Sequence, residues 1–231
     1  MTAFDDFASG ITEVQTLLSL CTGESNHDDV LIDARRNAVC RAATVLLVSH
    51  FESFLKTTAE EFIDAIATGD IASRAIPLGV KELHSIPRME EILTTKDAKQ
   101  RATLFGKITE YNCLWVAEAK PPPRLLKSEV LRRIVTNPGS DVIDKLYELM
   151  GAATPVCDGD IDVELADRGV PEPVNIRLML RAVVKCRNDI AHGDVTRIPT
   201  SEDVDRYIRQ LEAFARRLEA RATLLAANVR G

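Results

Sequence analysis

Arg187-Asn188-Asp189-Ile190-Ala191-His192-Gly193 is the stretch of this chain whose residue types could do chemistry together. A guanidinium stabilises the charge of a phosphorane and an imidazole moves a proton near neutral pH, so an Arg and a His near one helix end could act on a phosphodiester. Asn188 and His192 are i, i+4 and share a helix face, while Gly193 ends the helix and leaves His192 at an accessible terminus. Arg187 and His192 are i, i+5, which points them about 140° apart on an ideal helix. A site using both requires a distorted last turn, the long reach of Arg, or a symmetric dimer that brings two such ends together. The competing use of a His at a helix C-terminus is that of a capping cation.

The elements that must position these groups are helical. Steps of three and four through Leu31, Ala34, Ala38, Arg41, Val45, Val48, Glu52, Leu55, Ala59, Phe62 and Ile66 predict one long core helix over about 29–67. Asp28 or Asp29 is placed to cap it, and Thr68-Gly69-Asp70 supplies its stop. Ile176, Leu180, Val183, Arg187 and Ile190 predict a second helix over 174–193. Thr200-Ser201-Glu202-Asp203 then opens a third, over 200–228, with Val204, Tyr207, Ile208, Leu211, Ala215, Leu218 and Leu225 inward. These last two form an expected antiparallel hairpin. Residues 70–173 read as an insert broken by prolines, with a helix over 96–119 ended by Pro121-Pro122-Pro123 and shorter helices at 128–135 and 141–150. No strand shows convincing alternation over more than a few residues. The expected fold is an all-α antiparallel bundle in one domain spanning 1–231.

Two seams carry charges where apolar residues belong: Arg41 and Glu52 in the first, Arg187 in the second. Charged residues are rarely buried without a partner, so an ion pair is expected, and Glu52 with Arg187 is the preferred pairing.

Composition bounds the rest. With 231 residues and 45% of them apolar, the chain can bury a full core, which excludes a disulfide-stapled miniprotein or a disordered tail. A net charge of −6 removes the global basic footprint of most nucleic-acid binders, so any such role is local. Lys120–Arg133, with five basic residues against one acidic, is the stretch to search for RNA-backbone contacts, through Lys127, Arg132 and Arg133. A solvated helix face serves equally well there. Five cysteines without C-x-x-C spacing indicate neither a zinc knuckle nor a closed disulfide framework. They read as reduced thiols in a cytoplasmic protein. No Lys or Arg precedes Arg35, and the apolar stretch Ala42–Phe51 is short of the roughly 20 residues a span needs, so neither a signal peptide nor a membrane role is expected. His50 could line the same cleft as Glu52. His27 and His84 fall in loop-like stretches without ligand-spaced partners, and Phe105, Tyr111 and Trp115 read as core.

The motif Arg187-Asn188-x-x-x-His192-Gly193, the capped helix after it, and Val48-Ser49-His50-Phe51-Glu52-Ser53-Phe54-Leu55-Lys56 on the long helix resemble the HEPN superfamily, in particular its stand-alone prokaryotic ribonuclease branch. The resemblance covers roughly 29–67 and 174–226. It implies a homodimer with facing Arg187/His192 motifs and RNA cleavage that needs no metal or cofactor, often within toxin–antitoxin or phage-defence systems with an antitoxin protein as partner. By the same resemblance Arg187 binds and polarises the scissile phosphate, His192 transfers the proton, Asn188 orients substrate or His192, and Glu52 positions the Arg. Some members carry a Tyr two residues after the His as the target of a partner nucleotidyltransferase. Asp194 stands there in this chain, so that partner is not expected. The competing class is a non-catalytic helical module that binds a partner protein or a nucleotide.

Overall fold

The computed structural model describes residues 2–20, 30–164 and 170–231. The expected cap at Asp28 or Asp29, together with Cys21 and His27, lies outside them. Among the described residues eight α-helices run in the order α1 (Ala3–Ser19), α2 (Val30–Ile66), α3 (Leu78–Thr94), α4 (Ala98–Ile108), α5 (Ser128–Arg132), α6 (Ser140–Leu149), α7 (Ile176–Ala191) and α8 (Ser201–Arg230). The expected all-α class holds. Beside the helices stands one short two-stranded antiparallel pair, β1 (Asp160–Val163) with β2 (Glu172–Asn175), pairing Asp160 with Asn175 and Val163 with Glu172. Ile161 and Val163 do alternate inward, but four residues are too few to register as a period.

The chain divides into two compact units, one of Met1–Leu55, Asn137–Ile143 and Cys157–Glu219, the other of Lys56–Thr136, Asp144–Val156 and Ala220–Gly231. In the first, Thr2 and Asp5 close a reciprocal capping box that starts α1, a helix outside the seams read above. Its Phe7 joins Phe51, Phe54 and Phe214 in an aromatic cluster with ring centroids 5.6–6.2 Å apart. By length and composition Asp33–Ile66 could cross a membrane. Here its Leu47, Val48, Phe51 and Phe54 are buried in the unit's core. Of the predicted α2 seam Val48, Leu55, Ala59, Phe62 and Ile66 are buried, and beside it α2 buries a second line, Cys40, Thr44, Leu47, Phe51 and Phe54, one residue earlier at each step. Arg41 and Glu52 therefore lie on its flank, half-buried, where a charge can still reach water. For α8 the predicted seam from Val204 to Leu225 is buried throughout, and Thr200 and Asp203 make the expected capping box.

Gly10 marks where α1 meets α2. A Cβ there would lie 2.5 Å from the root of the His50 ring, whose Nε2 is 3.0 Å from the Glu13 carboxylate. Gly10→Ala must displace that ring, and denaturant titration is expected to show a loss of about 1–3 kcal/mol.

In the second unit the expected helix over 96–119 is corrected: α4 stops at Ile108 and continues as a 3-10 turn, Thr109–Trp115. Phe105 and Trp115 are not core; they are 56% and 48% exposed. His84, expected in a loop, is buried on α3. Its Nδ1–H donates to the Val80 carbonyl at 2.7 Å, and Nε2 accepts from the Lys127 backbone N–H at 2.8 Å. Those two bonds select the neutral imidazole, and burial pushes its pKa below the usual histidine value. Since the unfolded chain then binds the proton more readily, His84 leaves stability intact above the unfolded value of 6.5 and erodes it as pH falls further. The erosion is at most about 1.4 kcal/mol per pH unit. Denaturant midpoints at pH 7 and pH 5 should differ in wild type and converge in His84→Gln.

Candidate functional site

The Arg187/His192 motif lies wholly in the first unit, at the end of α7. The Asn175 side chain caps that helix by accepting the Leu178 N–H at 3.1 Å, and Ile176, Met179, Leu180, Val183 and Cys186 are its buried line. Arg187 and Asn188 follow in the last full turn, half-buried beside that line. The helix then ends at the motif's own glycine. Gly193, at φ 88°, donates to the Ile190 carbonyl at 3.1 Å, and Asp194 donates to the Asp189 carbonyl at 2.9 Å. These are the two bonds of a Schellman motif, and they place His192 at the C-cap, exposed. Because both bonds are backbone bonds, the His192 imidazole is not needed to build the terminus that presents it.

Arg187 is held from two sides. Its Nη1 donates to Asn188 Oδ1 at 3.0 Å, and its Nη2 stands 3.7 Å from Glu52 Oε2, an ion pair longer than a hydrogen bond. The pairing expected between Glu52 and Arg187 is therefore present in this arrangement, with side chains 17% and 27% exposed. Arg187 Nε is buried and has no hydrogen-bond partner among the described residues. An unsatisfied buried donor costs about 1–3 kcal/mol, and an oxygen brought within reach would recover it.

Arg41 has a different partner from the one a buried charge suggests. Its Nη1 donates to the backbone carbonyls of Asp194 at 2.6 Å and Arg197 at 2.8 Å, pinning the loop that follows His192. Within that loop the Asp194 carboxylate accepts from Thr196 N–H at 2.8 Å and Thr196 Oγ1 at 2.7 Å, which holds its pKa below the usual carboxylate value. Sequence reading flags Arg41 as an out-of-place charge but has no signal for carbonyls contributed by a loop. Arg41→Met should cost about 1.5–3 kcal/mol, the worth of hydrogen bonds to a charged donor, and speed amide exchange across 194–197.

The remaining candidates separate from this group. His50, in the same unit, has its ring packed on Gly10 and its Nε2 on Glu13. Lys127, Arg132 and Arg133 belong to the second unit. Lys127 directs its backbone N–H to His84, while Arg132 Nη1 is 2.9 Å from Glu60 Oε1 and so already partly neutralised. Arg133 is exposed at the end of α5. Among the described residues no group of three His, Cys, Asp or Glu side chains is placed to hold a metal ion.

A family model described as RiboL-PSP-HEPN fits residues 5–222, the middle stretch included. No curated protein and no solved structure matches the chain.

Proposed function

The chain belongs to the RiboL-PSP-HEPN family, and on that premise we propose that it is a metal-independent endoribonuclease acting through Arg187 and His192. The ribose 2′-OH attacks its own phosphorus, the bond from phosphorus to the 5′-oxygen breaks, and the products are a 2′,3′-cyclic phosphate and a 5′-hydroxyl. The attack releases a proton from the 2′-oxygen and the leaving oxygen takes one up, so the reaction wants a base on one side and an acid on the other. Each chain offers one His in this motif. A homodimer with facing motifs offers two, one for each role.

The observation that carries this reading is the fixed Arg187 guanidinium: Asn188 Oδ1 accepts from one Nη at 3.0 Å and Glu52 Oε2 stands 3.7 Å from the other. That leaves Nε, buried and without a partner among the described residues, as the donor a phosphate oxygen would satisfy on entering the site. Asn188 orients the guanidinium, and Arg41 holds the loop after His192. In this reading the cellular setting is a toxin–antitoxin or phage-defence system in the cytoplasm, with an antitoxin protein holding cleavage in check.

The test is incubation of a mixed RNA pool and of single-stranded DNA with the purified protein in excess EDTA, followed by identification of product ends. RNA cut to cyclic phosphates with DNA intact is the expected result. Strict dependence on added Mg²⁺, or cleavage of DNA, sinks the mechanism. Absence of cleavage on every RNA offered moves the assignment to a non-catalytic module that binds a partner protein or nucleotide, a reading that the acidic net charge of −6 favours.

A further inference from the structure

We propose that α4 and the 3-10 turn after it form a docking surface for single-stranded RNA in the second unit; the choice of ligand rests on the ribonuclease reading.

Helix α4 has no buried residue, although eleven residues is three turns. Leu104 and Ile108 are half-buried, and everything else on it is exposed. What it exposes is one-sided in charge. Lys96, Lys99, Arg101 and Lys107 are all exposed, and none makes an ion pair with a described residue. The one acidic residue among them, Asp97, is spent as the helix cap, accepting the Gln100 N–H at 2.7 Å. Glu110 stands in the first turn of the 3-10 segment and with Glu91 lines the same cavity as Lys107, and Arg101 Nη1 donates to the Thr95 carbonyl at 3.2 Å, so on a chain of net charge −6 the local excess of cations rests on Lys96, Lys99 and Arg101.

Aromatic rings accompany the charge. Phe105 is more than half exposed, and it stands i+4 from Arg101, which puts ring and guanidinium on one face of the helix. Trp115, at the end of the 3-10 turn, is anchored by its Nε1–H to Ser85 Oγ at 3.0 Å, carries the Lys81 ammonium 5.7 Å over one face of its ring, and leaves nearly half its surface to solvent. Near Gly106 nothing lies within 4 Å of where a Cβ would stand, so a strand can approach the helix backbone there. Cations that follow a phosphate backbone, interleaved with rings on which bases stack, are the two parts of sequence-tolerant single-strand binding. The stretch from Lys120 to Arg133 is as basic but has no aromatic residue, and its Arg132 is paired with Glu60. An exposed aliphatic row that would suit a protein helix, Ile86, Met89 and Leu93, runs on α3 instead.

Binding is read without turnover, on the full chain carrying His192→Ala, by anisotropy of a labelled 12-nucleotide RNA and by emission of Trp115, the only tryptophan. RNA should quench Trp115. Lys99→Glu/Arg101→Glu/Lys107→Glu should weaken binding at least tenfold with circular dichroism unchanged, and flatten the salt dependence by about two, near 0.7 per lost phosphate contact. Phe105→Ala, which removes no charge, should weaken it by about tenfold. Binding by both variants that matches the parent overturns the proposal. So does a triple variant that binds RNA normally but loses self-association in sedimentation, which would assign the face to protein contacts. If α4-dependent binding is present while wild type cuts no RNA, the ribonuclease reading fails and this surface stands; cleavage with α4-independent binding gives the reverse.

Discussion

Replacing His192 with Ala is expected to lower EDTA-resistant RNA cleavage by about 10²- to 10⁴-fold, the range that one proton-transfer group contributes, while the melting temperature stays where it was. The second half of the expectation follows from how the helix end is built. His192 is exposed, and the bonds that close α7 run from Gly193 and Asp194 backbone N–H groups to the Ile190 and Asp189 carbonyls. Removing the imidazole leaves them all in place. Mixing adds a sharper form of the test. If one His from each chain is needed, adding excess His192→Ala chain to wild type should suppress activity below the wild-type share, because hybrid dimers keep only one imidazole. Suppression strictly in proportion to dilution would show that each chain cuts by itself.

How much of this could be read from the sequence differs by element. Helix α8 was legible to its individual core residues because one face is apolar from Val204 to Leu225 and the other is charged. Helix α2 was legible as a helix, and Val48, Leu55, Ala59, Phe62 and Ile66 of its predicted seam are buried. Its buried surface is wider than one seam, taking in Cys40, Leu47 and Phe51 alongside. Arg41 and Glu52 stand at the edge of that surface, so two flank charges look like core charges. Their partners then differ by kind: Glu52 met a side chain whose type could be guessed, and Arg41 met backbone carbonyls, which any sequence supplies. The helix end at His192 was legible because Gly193 needs the left-handed conformation it adopts. The hairpin of β1 and β2 was not, since its pairing is between segments of four residues each. Phe105 and Trp115 were misread as core because helical spacing reports that apolar residues share a face, and says nothing of whether the face is covered.

Arg187→Lys should separate charge from geometry at the same site. Lysine keeps the positive charge, but it has neither the Nε donor nor the fork that lets one group meet Asn188, Glu52 and a phosphate together. Cleavage is expected to fall by about 10²-fold, the cost of removing one pre-oriented donor from a developing negative charge. Stability should hold or rise slightly, because the unsatisfied Nε disappears with the guanidinium. Glu52→Gln acts on the other partner. Stranding a fully buried charge costs about 3–5 kcal/mol, but Arg187 is 27% exposed and its contact with Glu52 is 3.7 Å long, so a loss of about 1–2 kcal/mol is expected here. Activity should drop further than the folded fraction does, since an Arg released from Glu52 no longer aims its Nε. A double-mutant cycle between the two substitutions then decides what Glu52 is for. Strong coupling in kcat with weak coupling in unfolding free energy makes it a positioning residue for Arg187. Coupling confined to unfolding free energy makes the pair a structural bridge and leaves Asn188 as the group that holds the guanidinium for the phosphate.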